Sequence, residues 1–137
     1  MIKDLWINLP VKNVRKSRDF FVKLGFKLNP HNGNTDNSAC FLVGNANVVV
    51  MLFDESSFKG FTNHEVADAK QGSEVLISVG VESKEQVDEL AKNAVEAGGT
   101  SNHKPGKMEG WMYGCLFIDI DGHRWNALYM DMSKMPQ

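Results

Sequence analysis

The sequence predicts an α+β fold in which two βαβββ modules follow one another in tandem along the chain. The first reason for this prediction is that one pattern of sequence features occurs twice. A strand end, a helix and a glycine stop occupy Val11–Gly25, and the same order returns at Val81–Gly98. The second reason is that two strand-like runs joined by a tight turn follow each helix. Such a repeat favours modules related by a pseudo-twofold axis that form a curved mixed sheet around a cleft. We expect a ligand in that cleft, between the two copies.

Composition and charge restrict the class of protein. The 137 residues, 42% hydrophobic and 23% charged, are typical of one soluble globular domain. The net charge is −2 with scattered Lys and Arg, so no nucleic-acid partner is expected. The longest apolar run, Val48–Phe53, is far too short to span a bilayer, and no secretory leader is visible. We therefore expect no membrane partner and a cytoplasmic location, where Cys40 and Cys115 remain reduced and buried.

Module one is expected at about residues 1–53. Its helix begins after Asn13, whose side chain can cap a helix N-terminus, and it ends at Gly25, which suits a left-handed stop. Phe20, Phe21 and Leu24 form the apolar face of this helix. The predicted strands of the module are Leu5–Val11, Phe26–Leu28, Ala39–Val43 and Asn47–Phe53.

A polar connection between the modules is expected at about residues 54–73. It contains room for a helical turn, and Phe58 and Phe61 are its only large apolar side chains. These two rings either anchor the connection to the body of the protein or cover a pocket.

Module two is expected at about residues 74–131. Ser83 and Gln86 have the spacing of a capping box at the start of its helix. Asp121-Gly122 supplies the positive dihedrals of a turn before the last strand, and the carboxylates of Asp119 and Asp121 are expected to accept backbone N–H bonds there. The apolar stripe of the helix consists of Val87, Leu90, Ala91, Ala94 and Val95. The predicted strands are Glu74–Val81, Met112–Ile118 and Arg124–Met130, with a loop at Ser101–Gly110.

Two sequence motifs add a family resemblance. They are Asn8-Leu9-Pro10-Val11 before the first helix, and Gly110–Gly114 followed by Phe117–Trp125 near the end. With the repeat, they make the chain resemble the vicinal oxygen chelate superfamily, which includes glyoxalase I, extradiol dioxygenases and the fosfomycin- and bleomycin-resistance proteins. Small members described as predicted lactoylglutathione lyases are similar over essentially the whole chain. The resemblance implies the glyoxalase/bleomycin resistance fold, which lyases, oxygenases and pure binders share.

The resemblance also implies four metal-ligand positions. Enzymes of this superfamily hold one divalent metal ion with inward His, Glu or Asp side chains on the first and last strands of each copy. When the two motifs are used to align this sequence with the family pattern, the four ligand positions fall on Trp6, Met51, Leu76 and Asn126. An indole and an aliphatic chain offer no lone pair, a thioether suits soft copper(I), and one amide oxygen does not hold a metal alone. We therefore expect no metal or other cofactor in the cleft.

No catalytic residue is predicted. The four histidines, His31, His64, His103 and His123, fall in four separate loops and turns, so their spacing makes no cluster. His123 belongs to the turn motif of the resembling proteins. Nucleophile-elbow, phosphate-loop and dinucleotide motifs are also missing from the sequence.

Strand alternation predicts which residues face the cleft. The expected ligand-binding residues are Trp6, Asn8, Met51, Phe53, Leu76, Ser78, Tyr113 and Asn126, with Trp111 at the loop edge, where it can cover the cleft. This lining suits a flat, partly apolar organic molecule held by stacking and one or two hydrogen bonds. The alternative is that the large side chains fill the cleft and leave no pocket.

Three hypotheses for function follow. The first is a metal-free small-molecule binder that acts by sequestration, as the resemblance to bleomycin-resistance proteins implies. The second is a lyase or dioxygenase that uses Zn, Ni, Fe or Mn at a displaced site drawn from Asp54, Glu74, His103 or Asn126. The third is a structural homodimer without a ligand, because small members of the superfamily commonly pair. The missing metal ligands favour the first hypothesis.

Overall fold

The computed structural model describes residues 1–101, the backbone of residues 106–107, and residues 110–134. The chain divides into two compact units, Met1–Asp68 and Ala69–Gln137, which we call unit one and unit two. The boundary falls inside the connection expected at about residues 54–73.

Unit one is a four-stranded mixed sheet with two helices. Its sheet has the order β1-β4-β3-β2, in which β1 and β4 are parallel and the other pairs are antiparallel. Helix α1 contacts β3 and β4, whereas α2 contacts β1 and β4. The elements are β1 Trp6–Val11, α1 Val14–Lys23, β2 Lys27–Leu28, β3 Ser38–Val43, β4 Val48–Asp54 and α2 Glu55–Thr62.

Unit two repeats this topology. Its sheet has the order β5-β8-β7-β6, with β5 parallel to β8 and the remaining pairs antiparallel. Helix α3 contacts β7 and β8. The elements are β5 Leu76–Gly80, α3 Lys84–Glu96, β6 Gly106–Lys107, β7 Met112–Ile118 and β8 Arg124–Met130, followed by a 3₁₀ turn at Met132–Lys134. Mixed sheets and helices in two βαβββ units confirm the predicted α+β class.

The core of unit one lies between α1 and its sheet. Lys16 N–H donates to Asn13 Oδ1 at 3.0 Å, so the predicted cap starts α1. Phe20 and Phe21 are buried, and Phe21 packs 5.7 Å from Phe41 of β3, measured between ring centroids. Gly25 has φ +93°, the left-handed conformation expected after the helix.

The core of unit two lies between α3 and its sheet. Gln86 N–H donates to Ser83 Oγ, as the capping box predicts, but Gln86 Oε1 accepts from Glu82 N–H, one residue before the cap. The predicted apolar stripe is buried except at Val95, which is 54% exposed because it lies at the edge of the face that packs on the sheet. Trp125 and Phe117 are fully buried and stack with their ring centroids 5.9 Å apart.

Two elements differ from the sequence prediction. Residues expected to form an irregular connection include the two-turn helix α2, which Asp54 caps by accepting from Ser57 N–H. The loop expected at Ser101–Gly110 contains the short strand β6, which pairs with Gly114 and Tyr113. Within the described ranges, no helix combines the length and apolarity needed to cross a membrane.

Candidate functional site

Each sheet has one face that carries no α1 or α3, which we call the uncovered face. In unit one, Leu9 of β1 and Leu52 of β4 are buried on the helix side, so their strand neighbours point the other way. The parallel register pairs Asn8 with Met51. The residues that share the uncovered face on these two strands are Trp6, Asn8, Pro10, Val49, Met51 and Phe53. The structure therefore brings together the four site residues predicted from module one.

A loop rich in asparagine packs over the middle of this face. Cys40 lies beside Met51 in the register of β3 and β4, and its backbone N–H donates to Asn34 Oδ1 at 3.0 Å. A Cβ on Gly33 would lie 2.5 Å from Cys40 Cβ and 3.5 Å from Met51 Cε, so the loop backbone approaches both side chains closely. Met51 is half-buried here, whereas Trp6 is 65% exposed.

The guanidinium of Arg18 holds the end of the same loop. Its Nη2 donates to Thr35 O and to Ser38 O, at 2.6 and 2.7 Å. Ser38 Oγ donates to Gly33 O at 2.8 Å. Helix α1 thus fixes the loop that contacts Cys40 and Met51.

Helix α2 packs against one end of the uncovered face. The rings of Phe53 and Phe61 meet edge to face with centroids 4.9 Å apart, although Phe61 remains 69% exposed. Phe61 therefore anchors the connection, one of the two roles considered for it. The side-chain hydrogen bond from Ser57 is the main cause that lowers the pKa of Asp54, and the backbone hydrogen bond from Ser57 is the second. This carboxylate therefore serves as a helix cap.

The uncovered face of unit two combines alkyl side chains with polar groups. Leu76 and Ser78 of β5 pair in register with Arg124 and Asn126 of β8. Asn126 Nδ2 lies 3.5 Å from Ser78 Oγ, in position to donate to it. The structure thus groups Leu76, Ser78 and Asn126 as predicted, and it adds Arg124, which the sequence prediction missed. The sequence contained a signal for Arg124, because residues two apart on a strand share a face and Arg124 lies two residues before Asn126.

Trp111 and Tyr113 do not lie on this face, which corrects their predicted grouping with Ser78 and Asn126. Tyr113 Oη donates to Asp88 Oδ1 of α3 at 2.6 Å, so its ring is on the helix side of the sheet. That hydrogen bond is the main cause that raises the pKa of Tyr113. The Lys84 ammonium lies 5.8 Å from the centroid of the same ring.

Trp111 lines a small pocket instead. The pocket has a volume of about 120 Å³ and lies near the first turn of α3. Its described lining consists of Lys84, Gly110, Trp111, Met112, Tyr129, Asp131 and Lys134. A wider surface depression of about 350 Å³ lies at the end of α2, where Lys59 and Glu65 form an exposed ion pair of 3.0 Å. An exposed pair of this kind contributes little stability.

Asp119 organises the turn between β7 and β8. Its Oδ1 accepts backbone N–H bonds from Asp121 and His123, both at 3.0 Å, as expected for Asp119. Its Oδ2 accepts from Trp125 Nε1 at 3.2 Å and lies 3.0 Å from His123 Nδ1. Of the Asp121-Gly122 pair, only Gly122 has a positive φ, of 96°. The turn is therefore built around a buried carboxylate.

His123 belongs to this network. Burial lowers its pKa and is the largest single effect, but the hydrogen bond and charge of Asp119, together with the charge of Asp121, outweigh burial. The pKa of His123 is consequently raised above 6.5. This arrangement supports a structural role for His123.

The four positions that the resemblance assigns to metal ligands do not fit a divalent ion. Trp6, Met51 and Leu76 offer no hard donor, and the single amide oxygen of Asn126 does not hold a metal alone. Across residues 1–101 and 110–134, no three His, Cys, Asp or Glu side chains form a group that could hold a metal. Of the displaced ligands considered, Asp54 caps α2 and His103 lies outside the described residues.

Comparison with known proteins identifies the family. Residues 5–127 match the family model described as Glyoxalase/Bleomycin resistance protein/Dioxygenase superfamily. The match covers most of the chain, so the protein belongs to this superfamily. No curated protein matches the sequence.

Solved structures agree with this assignment. A hypothetical protein from S. aureus is 34% identical, with a TM-score of 0.81 over 94% of this chain and 95% of that one. A glyoxalase/bleomycin resistance protein/dioxygenase family enzyme from Burkholderia phytofirmans PsJN is 16% identical, with a TM-score of 0.77 over 93% and 99% of the two chains. A glyoxalase-related enzyme from Fulvimarina pelagi is 15% identical, with a TM-score of 0.78 over 94% and 88%. The last two likenesses establish the fold alone.

Proposed function

We propose that this chain is a metal-free member of the superfamily that binds a small organic molecule, with each unit considered by itself as the carrier of the site. The observation that carries the proposal is the chemistry of the four family metal positions. They hold Trp6, Met51, Leu76 and Asn126, which lie on β1, β4, β5 and β8. A scaffold without the metal ligands suits binding better than metal-dependent lyase or dioxygenase chemistry.

The side chains of unit one support a flat, partly apolar ligand. Trp6 is 65% exposed, so its indole is accessible for stacking, and Asn8 beside it is an exposed hydrogen-bonding group. In unit two, Leu76 is 53% exposed beside the polar pair Ser78 and Asn126. Accessible aromatic and alkyl surface with a few polar groups is the usual composition of a small-molecule site.

A thermal-shift screen in the presence of EDTA tests this proposal. Aromatic and amphipathic compounds that bind the folded state should raise the melting temperature, because ligand binding stabilises that state. Trp6→Ala should reduce the shift for a ligand on unit one and Asn126→Ala the shift for a ligand on unit two, whereas Val95→Ala, which removes an exposed apolar side chain from α3, should leave either shift unchanged. No shift across a broad library, or equal shifts in all three variants, would refute the proposed site.

We also propose that the chain forms a homodimer in the cytoplasm. Exposed apolar side chains in the N-terminal segment, Ile2 at 92% and Leu5 at 64%, supply surface that a second copy can cover. Two buried free cysteines suit a reducing compartment. Light scattering at micromolar concentration should give twice the 15.3 kDa mass of the chain, and the monomer mass would exclude the dimer.

A further inference from the structure

We infer that Arg124 recognises an acidic group on the ligand, so the ligand class is a small, partly apolar organic acid. This inference rests on the proposed function and specifies the chemistry of the uncovered face of unit two. Arg124 lies in β8, which has β5 on one side and β7 on the other, so the residue belongs to the interior of the sheet.

The direction of the Arg124 side chain follows from its neighbour. Trp125 is fully buried on the helix side, where its Nε1 donates to Asp119. Adjacent residues of a strand point to opposite faces, so Arg124 points to the uncovered face. Asn126, two residues on, shares that face and meets Ser78. The cation of Arg124 therefore lies near two neutral hydrogen-bonding groups, those of Ser78 and Asn126.

Apart from Ser78 and Asn126, the strand residues around Arg124 on this face are apolar. Its register partners are Leu76 on β5 and Ile118 on β7. The other described residues of β5, β7 and β8 on this face are Gly80, Met112, Gly114, Leu116, Leu128 and Met130, none of them acidic. In the described part of the chain, no ion pair or hydrogen bond involves the Arg124 guanidinium.

This combination favours an anion over a neutral ligand. A guanidinium presents a fork of N–H donors that matches a carboxylate or phosphate with two parallel hydrogen bonds. The Ser78 hydroxyl and the Asn126 amide can add donors to the same group. In unit one, the position equivalent to Arg124 in the strand register is Val49, so the repeated scaffold does not itself require a cation there.

Matched acids and amides test the inference. We would titrate 1-naphthoate against 1-naphthamide, and 3-phenylpropionate against 3-phenylpropionamide, by calorimetry at pH 7 with EDTA present. Each pair has nearly the same shape and differs in charge. Charge-assisted hydrogen bonds predict that the acids bind about 10- to 100-fold more tightly than the amides. Arg124→Gln should remove this preference by weakening acid binding, and Arg124→Lys should restore part of it.

The outcomes separate the two proposals. Equal binding of acids and amides to the wild-type chain would overturn the role of Arg124 and leave the binding proposal intact. An acid preference that persists in Arg124→Gln would also overturn it. Failure of acids and amides alike, together with a negative library screen, would overturn the proposed function itself. Far-UV circular dichroism and the melting temperature of each variant establish that it is folded.

Discussion

In unit one, β1 and β4 present Trp6, Asn8, Val49 and Met51 on the uncovered face, and in unit two the same register positions hold Leu76, Ser78, Arg124 and Asn126. Both strand pairs are parallel, but the aromatic ring is in one unit and the cation in the other. Fold and register are thus preserved where side-chain chemistry has diverged. The face of unit one offers aromatic surface for apolar contact, whereas the face of unit two offers a cation and hydrogen-bonding groups. The proposed ligand binding and the proposed role of Arg124 rest on these side chains.

The helix-covered sides of the two sheets differ as well. Unit one packs phenylalanine rings, with Phe20 and Phe21 of α1 in contact and Phe21 against Phe41 of β3. Unit two packs Trp125, whose indole is held by the buried carboxylate of Asp119. An apolar core tolerates changes of similar volume, whereas a buried polar network depends on every partner. The stability of unit two should therefore be more sensitive to polar substitutions and to pH.

The largest expected effect is at the centre of unit two. Trp125→Ala should lower the free energy of unfolding by about 3–5 kcal/mol, because it leaves a cavity and removes the stack with Phe117. The matched variant in unit one is Val50→Ala, at the equivalent register position, and its smaller side chain predicts a smaller loss. Urea unfolding followed by circular dichroism measures both losses. Equal losses would contradict the contrast between the cores.

The buried carboxylate is the next largest effect. Asp119→Asn should cost roughly 3 kcal/mol, because the amide keeps one acceptor oxygen and leaves buried donors of His123 and Trp125 unsatisfied. Asp54→Asn in unit one is the control, since asparagine caps a helix about as well as aspartate does. Urea midpoints compare the two variants. A shift in Asp54→Asn as large as that in Asp119→Asn would refute the assignment of these roles.

A smaller effect is expected at the loop over Met51. Gly33→Ala and Gly44→Ala both place a side chain at positive φ, +87° and +76° respectively. Only the first brings a Cβ against Cys40, so it should be the more destabilising by at least about 1 kcal/mol. Both variants carry the backbone strain of a positive φ, so the difference between their unfolding free energies, measured by chemical denaturation, reports the contact with Cys40. Equal stabilities would show that the loop can move away from Cys40.

The smallest stability effect is the pH dependence that arises from His123 in unit two. The pKa of His123 is raised in the folded state, so the contribution of protonated His123 is fully present below its unfolded value of about 6.5. It is lost as the pH rises through the folded value. The free energy of unfolding should fall over that window, and His123→Gln should remove this part of the slope. The same slope in both proteins, from urea unfolding between pH 6 and 9, would exclude the effect.

Local sequence signals predicted much of the fold. Asn13, Ser83 and Gln86 marked the helix starts correctly, and the limits of β7 and β8 were predicted to the residue, because caps and alternation act over a few positions. Helix α2 was harder to predict because it has no buried residue and therefore a weak apolar pattern.

The candidate site was predicted only in part, because the sheet face on which a side chain lies depends on how the strands pair. Asn126 was placed with Ser78 correctly, yet Tyr113 was assigned to the wrong face. The register between β7 and β8, which pairs Tyr113 with Tyr129, decides the face. Arg124 lies two residues from Asn126 on β8, so alternation alone places it on this face, whereas the family resemblance assigns it no metal-ligand position.

The central claim is that this member of the superfamily binds its ligand without a metal. Calorimetric titration of the most stabilising compound tests the claim most directly, first after dialysis against EDTA and then with Zn, Ni, Fe or Mn added. We predict the same dissociation constant in every condition. Binding that appears only with a metal, or that strengthens about tenfold or more when one is added, would contradict the claim.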